Sequence, residues 1–366
     1  MAHQDTLFCH PELVEGCRVE RDPGDPGRDV FMLSKDNEMA EKDMIVVTGG
    51  AGFIGSAFVW QLNAEGIEEI VIVDELGETD KWRNLARRRF VDYFHKEAFL
   101  SMVLEDRVPF PVKAVIHMGA CSSTTERDAD FLLENNYRYT RHLAEWAVKK
   151  GTRFVYASSA ATYGDGSRGF SDDDKVTQTL LPINAYGFSK QVFDLWLLRR
   201  GWDAKVAGIK FFNVFGPQEY HKGDMRSVVH KAYEQIRDTG TVRLFKSYRA
   251  PYPDGGQMRD FVYVKDVVEI LKWFLDHPEA NGIFNLGTGT ARTWNDLVGA
   301  VFAAMERPAQ IDYIEMPESI RGQYQYLTQA QMGKLRAAGC RRQFRSLEEA
   351  VADYVRGHLL QSDAYL

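Results

Sequence analysis

The chain has 366 residues, of which 45% are hydrophobic, and it carries a formal net charge of −7. This length allows one large or two medium domains with a real core, and the acidic balance argues against a nucleic-acid partner, which usually presents a basic face. No apolar run has the length of a membrane span and the Met1 end lacks a basic-then-apolar signal, so we expect a cytoplasmic protein without a membrane partner. Its four cysteines are scattered without a C-x-x-C pair, which predicts neither zinc, nor any other metal site, nor a disulfide framework.

Residues 1–43 differ from the rest of the chain. Residues 22–27 read DPGDPG, a turn-rich run with charged flanks and no periodic apolar pattern. We interpret residues 1–43 as a disordered or foreign N-terminal extension. Within it, Cys9, His10 and Cys17 are interpreted as tail residues and not as metal ligands.

From Met44 onward, short apolar segments alternate with helical patterns. Strands are predicted at 44–48, 70–74, 114–117 and 153–158, and helices at 53–64 and 125–149. Short apolar strands separated by helices predict the α/β class, with a Rossmann-type doubly wound parallel sheet covered on both faces.

After residue 215 the alternation loosens. Capping-box openings at Thr293 and Ser346 predict short helices, and isolated strands are predicted at 283–286 and 310–314. We therefore predict a dinucleotide-binding domain mainly over residues 44–215. Residues 216–366 are expected to form a smaller mixed α/β substrate-binding lobe, with some chain crossing back to the first domain.

The first chemical motif directly follows the first predicted strand, where residues 48–55 read TGGAGFIG. Gly49 permits a tight turn, Gly52 lets the backbone approach a pyrophosphate, and Gly55 lets the helix pack closely on the sheet. The phosphates would bind unpaired N–H groups at the helix N-terminus. The second strand ends in Asp74, about 20 residues further on, where an acidic group meets the adenosine ribose. Because a predicted strand precedes the motif and a predicted helix follows it, the motif predicts a bound nicotinamide dinucleotide and not a structural turn alone.

The residues leave the choice of dinucleotide open. Asp74 and the adjacent Glu75 repel a 2′-phosphate and favour NAD. Lys81 and Lys96 can offset that repulsion through charge-assisted hydrogen bonds and so favour NADP. In the alternative interpretation both lysines are solvated surface charges.

The second motif is YGFSK at residues 186–190, with Tyr186 and Lys190 on one face of a helix. A nearby ammonium group lowers a tyrosine pKa from about 10, which suits a general base for an alcohol that loses hydride. Ser159, at the end of the fourth strand, places a hydroxyl at the sheet edge where ligands bind. A tyrosine and lysine at this spacing alone are a common surface pair. Together with the serine and the glycine motif, they indicate a catalytic site.

With these motifs, the chain resembles the extended short-chain dehydrogenases of the NAD-dependent epimerase/dehydratase family, from Met44 almost to the C-terminal end. The segments that carry the resemblance are GACSSTTE at 119–126, YASSAATYG at 156–164, FFNVFGP at 211–217, HKG at 221–223, RDFVYV at 259–264 and FNLGTG at 284–289. The last two are widespread in nucleotide-sugar enzymes, whereas ACSSTTE and HKG are typical of the branch that acts on ADP-heptose. The resemblance implies an isomerase that inverts carbon six of ADP-heptose for lipopolysaccharide core synthesis. Its tightly held NADP would be reduced and reoxidised in one turnover.

The resemblance also implies residue roles. Tyr186 is one catalytic acid/base, Lys190 lowers its pKa and holds the nicotinamide ribose, and Ser159 bonds the reacting oxygen. Lys222 is the second acid/base, on the other side of the substrate carbon. The cofactor, NADP in this family, is expected to meet Phe53, Ile54, Asp74, Glu75, Lys81, Lys96, Met118, Gly119, Ala120, Cys121, Ser122, Asn135, Lys190 and Val214. The ADP-heptose is expected to meet Asn213, Asp224, Lys231, Phe245, Lys246, Ser247, Tyr248, Arg259 and Tyr324. A homo-oligomer, a pentamer in this family, is expected as well.

Several of these residues have a structural alternative. Lys222 taken alone is a surface lysine, Arg259 can pair with Asp260, and Cys121 is a small buried residue and not a nucleophile. The chain also departs from the family pattern in three places besides its extension. The loop 249–258 is longer than usual, Glu75 stands where an amide is expected, and residue 224 is an aspartate where a small hydroxyl is expected.

Three other functions are alternatives to epimerisation at carbon six of ADP-heptose. Sugar 4,6-dehydration needs an acidic pair beside the catalytic hydroxyl, and residues 159–162 read SAAT. Epimerisation at carbon four of a UDP-hexose is the nearer rival. A dinucleotide-sensing protein without catalysis would need neither Tyr186 nor Lys190.

Overall fold

The computed structural model describes residues 42–321 and 324–366. The predicted extension therefore lies outside the described residues except for Lys42 and Asp43, and so do Cys9, His10 and Cys17.

Twelve strands occur in the described part of the chain. They are β1 (Met44–Thr48), β2 (Ile70–Asp74), β3 (Asp92–His95), β4 (Val112–His117), β5 (Arg153–Ser159), β6 (Ala207–Phe211), β7 (Asn213–Phe215), β8 (Val242–Phe245), β9 (Met258–Tyr263), β10 (Gly282–Leu286), β11 (Ala291–Thr293) and β12 (Ile311–Ile314).

Seven of these strands form one parallel sheet, in the order β10-β6-β5-β4-β1-β2-β3. Every residue of β1, β2, β6 and β10 is buried. Burial on both faces explains why these strands are continuous apolar runs and not alternating ones. The predicted Rossmann-type α/β class is confirmed.

The same residues form twelve α-helices, which are α1 (Phe53–Ala64), α2 (Lys96–Leu104), α3 (Ala129–Leu132), α4 (Tyr139–Lys150), α5 (Asp174–Thr177), α6 (Ala185–Arg199), α7 (Val228–Thr239), α8 (Val264–Asp276), α9 (Trp294–Ala304), α10 (Glu318–Arg321), α11 (Gly333–Ala337) and α12 (Leu347–Tyr354). The helix predicted at 125–149 begins at Ala129, where Asp128 caps it, and a π-helical turn at Leu133–Arg138 separates α3 from α4. The predicted capping boxes at Thr293 and Ser346 are both present, at the starts of α9 and α12.

Two smaller sheets accompany the main one. In the first, β9 pairs in parallel with β7 and antiparallel with β11, and in the second, β12 pairs in parallel with β8. The chain leaves the main sheet after β6, enters the three-stranded sheet at β7, and returns to the main sheet at β10. The carboxyl ends of the main strands therefore face segments from the second half of the chain.

None of the helices between residues 42 and 366 that the structure describes is long and apolar enough to cross a membrane.

Candidate active site

A cleft of about 610 Å³ lies at the carboxyl ends of the main-sheet strands. Thr48 ends β1, Asp74 ends β2 and Ser159 ends β5, and all three line the cleft. This is the edge at which parallel α/β sheets bind ligands. The opposite wall comes from the chain after β7, which contributes His221, Lys222 and neighbouring residues.

The glycine-rich turn fits a dinucleotide pyrophosphate. Gly49 has a φ of +65°, and a Cβ atom there would lie 2.5 Å from the backbone nitrogen of Gly119. A Cβ on Gly55 would overlap the Gly49 carbonyl oxygen, so both positions require glycine. No side chain caps α1 at Gly52, and Phe53 and Ile54 in its first turn line the cleft. Its N–H groups are thus placed to receive phosphate.

The acidic pair and the two lysines lie together at the end of β2. Asp74 accepts a hydrogen bond from the Ala51 N–H at 2.8 Å and pairs with Lys81 at 2.5 Å. Lys96 pairs with Glu75 at 2.6 Å and thereby lowers the pKa of that carboxyl group. The lysine side chains are only 22% and 26% exposed, so they are not solvated surface charges. Their two positive charges balance the two carboxylates beside the cleft.

Three predicted catalytic residues converge where β5 meets α6. Asn184 caps α6 by accepting from the Gly187 N–H at 2.7 Å, so Tyr186 lies in the first turn and Lys190 one turn later. Tyr186 and Ser159 line the cleft together, and the Ser159 side chain acts to lower the pKa of Tyr186. Lys190 Nζ donates to the Ala157 carbonyl oxygen at 2.8 Å.

The ionisation of these residues differs from the sequence-based expectation. Desolvation raises the pKa of Tyr186, and the Ser159 side chain opposes that rise. The sequence predicts that Lys190 lowers the Tyr186 pKa. In the structure the Lys190 ammonium group bonds to the Ala157 carbonyl, and burial of the Tyr186 hydroxyl is the largest influence on its pKa. Desolvation also lowers the pKa of Lys190 to about 8, against the charge of Asp194, which raises it.

Lys222 lies in a 3₁₀-helical turn at Tyr220–Met225 and lines the same cleft. Its Nζ atom is 5.0 Å from the centre of the Phe53 ring. Desolvation lowers the pKa of Lys222, whereas the buried carboxylate of Glu219 raises it. Lys222 is therefore a partly desolvated ammonium group in the cleft and not a solvated surface lysine.

Asn84 joins the glycine-rich turn to the segment that carries Lys222. Its Nδ2 atom donates to the Ala51 carbonyl at 2.8 Å and to the Gln218 carbonyl at 3.2 Å, and it lies 3.1 Å from His221 Nδ1. The two walls of the cleft are consequently in direct contact through one buried amide.

All the residues predicted to be catalytic or to meet the cofactor line the cleft, whereas of the nine predicted sugar-nucleotide contacts only Asn213 does. The other eight lie outside its lining and are Asp224, Lys231, Phe245, Lys246, Ser247, Tyr248, Arg259 and Tyr324. Asp224 is exposed, and Lys246 pairs with Glu315 at 2.7 Å.

Arg259 nevertheless lies next to the cleft wall. Its guanidinium carbon is 5.2 Å from the Tyr324 ring centre and 5.7 Å from that of Trp294, which lines the cleft. Asp260 accepts hydrogen bonds from three backbone N–H groups, so the pairing of Arg259 with Asp260 that the sequence left open is not formed. Arg259 is a buried cation held between two aromatic rings, and burial lowers its pKa.

The cleft contains residues that the sequence reasoning did not assign. Phe131, Tyr139, His221, Arg226 and Trp294 all line it. His221 precedes Lys222 in the HKG segment, and this position next to a predicted catalytic residue could have indicated that it lines the cleft. The other four belong to no motif, because their positions depend on how distant elements pack.

The described residues contain no group of three or more His, Cys, Asp or Glu side chains that could hold a metal ion. The groups in the cleft that suit a redox cofactor are the glycine-rich turn and the paired lysines, and both have the chemistry that a dinucleotide needs.

A dinucleotide-binding sheet edge that brings Ser159, Tyr186 and Lys190 into one cleft defines an enzyme of the short-chain dehydrogenase class. The chain belongs to the NAD dependent epimerase/dehydratase family, whose sequence model matches residues 45–287. It is 61% identical, over 323 residues, to the ADP-L-glycero-D-manno-heptose-6-epimerase of Nitratidesulfovibrio vulgaris (strain Hildenborough), and the match covers 88% of this chain and 100% of that protein.

Two solved structures are similar as well. The ADP-L-glycero-D-manno-heptose-6-epimerase of Helicobacter pylori is 25% identical with a TM-score of 0.71, and the match covers 87% of this chain and 96% of that one. The UDP-glucose 4-epimerase of Thermus thermophilus, solved with NAD, is 26% identical with a TM-score of 0.66, over 86% of this chain and 99% of that one.

Proposed function

We propose that this chain interconverts the D-glycero and L-glycero epimers of ADP-glycero-β-D-manno-heptose at carbon six. The reaction supplies the L-glycero sugar for the lipopolysaccharide core. The observation that carries the proposal is the presence of two acid/base side chains, Tyr186 and Lys222, in one dinucleotide cleft. Relatives at 46–61% identity that bear the heptose epimerase name support the choice of substrate.

The first half of the reaction needs a base for the carbon-six hydroxyl. The glycine-rich turn, Lys81, Lys96 and Lys190 would hold a nicotinamide dinucleotide, which would supply the hydride acceptor and the hydride donor for carbon six. In its phenolate form Tyr186 takes up the hydroxyl proton, and Ser159, which lines the same cleft, holds the reacting oxygen. Lys190 stays protonated at pH values below its pKa of about 8, so a cation stands one helical turn from Tyr186.

The second half of the reaction, in which carbon six is reduced again, requires a second acid/base. A cofactor held in one place would return hydride from the same direction, so inversion would require the ketone to present its other face. This moves the carbonyl oxygen to another part of the pocket, beyond the reach of a single group, because proton transfer needs heavy atoms within about 3 Å. Lys222, on the wall formed after β7, is the proton donor or acceptor in that second position.

NADP is the proposed cofactor, with NAD as the alternative. Lys81 and Lys96 line the cleft and pair with Asp74 and Glu75 at the end of β2, so they supply positive charge that a 2′-phosphate would need. Arg259, buried without an acidic partner among the described residues, is the proposed contact for the substrate diphosphate. By family resemblance we propose a cytoplasmic homo-oligomer, a pentamer.

The test is direct. Purified protein is denatured, the released cofactor is identified by mass spectrometry, and native protein is mixed with ADP-D-glycero-β-D-manno-heptose or UDP-glucose. Proton NMR should show the L-glycero epimer without added oxidant, and UDP-glucose should remain unchanged. Conversion of UDP-glucose at carbon four, with ADP-heptose left intact, would refute the proposal.

A further inference from the structure

A buried ion pair lies beneath the catalytic residues. Asp194 on α6 and Lys210 on β6 are 2.6 Å apart, and both side chains are 0% exposed. Removing two charges from water costs more than such a pair usually returns in stability, so a buried pair is weak evidence for a stabilising role.

The partners of Asp194 lie on the strand that carries the catalytic serine. Its Oδ1 atom accepts from the Tyr156 hydroxyl at 2.8 Å, and its Oδ2 atom accepts from the Ser158 hydroxyl at 2.8 Å. Asp194 also follows Lys190 by four residues and Tyr186 by eight. Because helix residues four apart share a face, this carboxylate connects the catalytic face of α6 to the residue before Ser159.

Lys210 is linked to Ser159 through the Thr162 hydroxyl. Its Nζ atom donates to the Thr162 hydroxyl at 2.7 Å, and the Thr162 hydroxyl donates to the Ser159 carbonyl at 2.8 Å. The chain on both sides of the Ser159 side chain is therefore tied to one ion pair. The side chains of this network are all buried, so water does not compete for the bonds among Asp194, Lys210, Tyr156, Ser158 and Thr162.

We propose that Asp194 and Lys210 are positioning residues, whose buried pair sets Ser159 against the Tyr186 and Lys190 face of α6. This inference rests on the proposed function for its effect on turnover. The geometry that supports it is independent of the substrate, because it concerns only the alignment of β5, β6 and α6.

The carboxylate of Asp194 also affects the pKa of Lys190. The ionisable groups near Lys190 are Asp194 on its own helix, Cys121 after β4, His117 in β4 and Tyr186. His117 is neutral at ordinary assay pH, because burial lowers its pKa to about 3. Asp194 raises the pKa of Lys190 against desolvation. Without this carboxylate, Lys190 loses its proton at a lower pH.

The test uses full-length protein and four variants. Asp194→Asn removes the carboxylate charge, and the double variant Asp194→Asn with Lys210→Met also removes the ammonium group that would otherwise be left buried and unpaired. Thr162→Val breaks the link to Ser159 while keeping the ion pair. The control is Asp266→Asn, which breaks the pair of another buried carboxylate with Arg345 away from the cleft.

The measurements are the unfolding midpoint, epimerisation kcat and KM, and NADPH binding from pH 6 to 9.5. We expect the double variant to unfold near the wild-type midpoint while its kcat falls by about tenfold or more at nearly unchanged KM. NADPH binding should begin to weaken at a lower pH than in wild type in both variants that lack the carboxylate. Thr162→Val should lower kcat without moving this pH limit, and Asp266→Asn should lower only the unfolding midpoint.

A folded double variant that retains wild-type kcat and the wild-type pH limit would overturn the proposal and leave the pair a structural feature. If Asp194→Asn does not fold, the double variant decides. Failure of the wild type to convert ADP-heptose would refute the proposed function instead, and the NADPH measurements, which need no sugar, would still decide whether the pair acts on Lys190.

Discussion

The ammonium group of Lys222 lies 5.0 Å from the centre of the Phe53 ring, so the proposed second acid/base contacts the first residue of α1. Phe53 directly follows the turn that fits the cofactor pyrophosphate. An aromatic face attracts a cation, and a partly desolvated ammonium group has a lowered pKa. The contact thus places a partly desolvated ammonium group beside the turn that fits the cofactor pyrophosphate, with a pKa below that of an exposed lysine.

Loss of either acid/base should abolish most epimerisation. Tyr186→Phe and Lys222→Met are each expected to reduce kcat by about a hundredfold or more, because general acid/base help is lost on one side of the ketone. Both variants should still bind cofactor and ADP-heptose, since much of each side-chain volume is kept. Steady-state kinetics and calorimetric binding measure the two effects.

Lys205→Met provides the matched control, because Lys205 is exposed and lies outside the cleft. It should behave as wild type. Near-normal epimerisation by Lys222→Met would refute the two-base mechanism, since Tyr186 alone is sufficient for a simple dehydrogenase.

The paired lysines should determine NADP affinity. Replacing Lys81 and Lys96 with alanine removes two charge-assisted contacts and should weaken NADP binding by about tenfold or more per lysine, with a smaller effect on NAD. Glu75→Gln should instead strengthen NADP binding, because it frees Lys96 from its ion pair and removes a carboxylate that repels the 2′-phosphate. Titration with both cofactors, with the exposed Lys113→Ala as control, measures these changes. Unchanged NADP affinity in the double lysine variant would contradict the assignment.

Cofactor binding should weaken in alkaline solution. The pKa of Lys190 is lowered to about 8, so the ammonium group that is expected to hold the nicotinamide ribose is present below this pH and is lost as the pH rises through it. Affinity for NADPH should therefore fall above pH 8, by up to tenfold per pH unit. In Lys190→Met, binding should be weaker throughout but flat to about pH 9.5, because the Tyr186 pKa lies above its ordinary value of about 10. A wild-type profile that is equally flat would argue against Lys190 as the titrating group.

Close packing at the glycine-rich turn should make it intolerant of a single methyl group. Gly55→Ala places a Cβ against the Gly49 carbonyl oxygen and is expected to cost about 1–3 kcal/mol of unfolding free energy and most cofactor affinity. Gly299→Ala is the control, because nothing lies within 4 Å of its Cβ position inside α9. It should stabilise the protein by about 0.5–1 kcal/mol. Denaturant unfolding and cofactor titration check both, and equal effects of the two substitutions would count against this packing.

Local sequence patterns were sufficient for much of the fold. The predicted bounds of β1, α1 and β2 agree with the structure, because apolar period and glycine position depend on neighbours in the chain. The start of α3 at Ala129 and its π-helical turn were missed, since the capping by Asp128 and the packing of that helix override the apolar pattern. The sequence also indicated the sheet edge at which the site forms, because parallel strands bring their carboxyl ends together.

Through-space relationships were decided only by the tertiary structure. The chain by itself indicated that Tyr186, Lys190 and a glycine-rich turn occur together, but it did not indicate that Asn84 joins Ala51 to His221. Nor did it show that burial raises the Tyr186 pKa, because desolvation depends on every element packed around the hydroxyl. The same holds for the pairing of Asp74 with Lys81 and of Glu75 with Lys96. Periodicity describes a residue's neighbours along the chain, whereas charge balance and proton affinity depend on distances that only the folded packing determines.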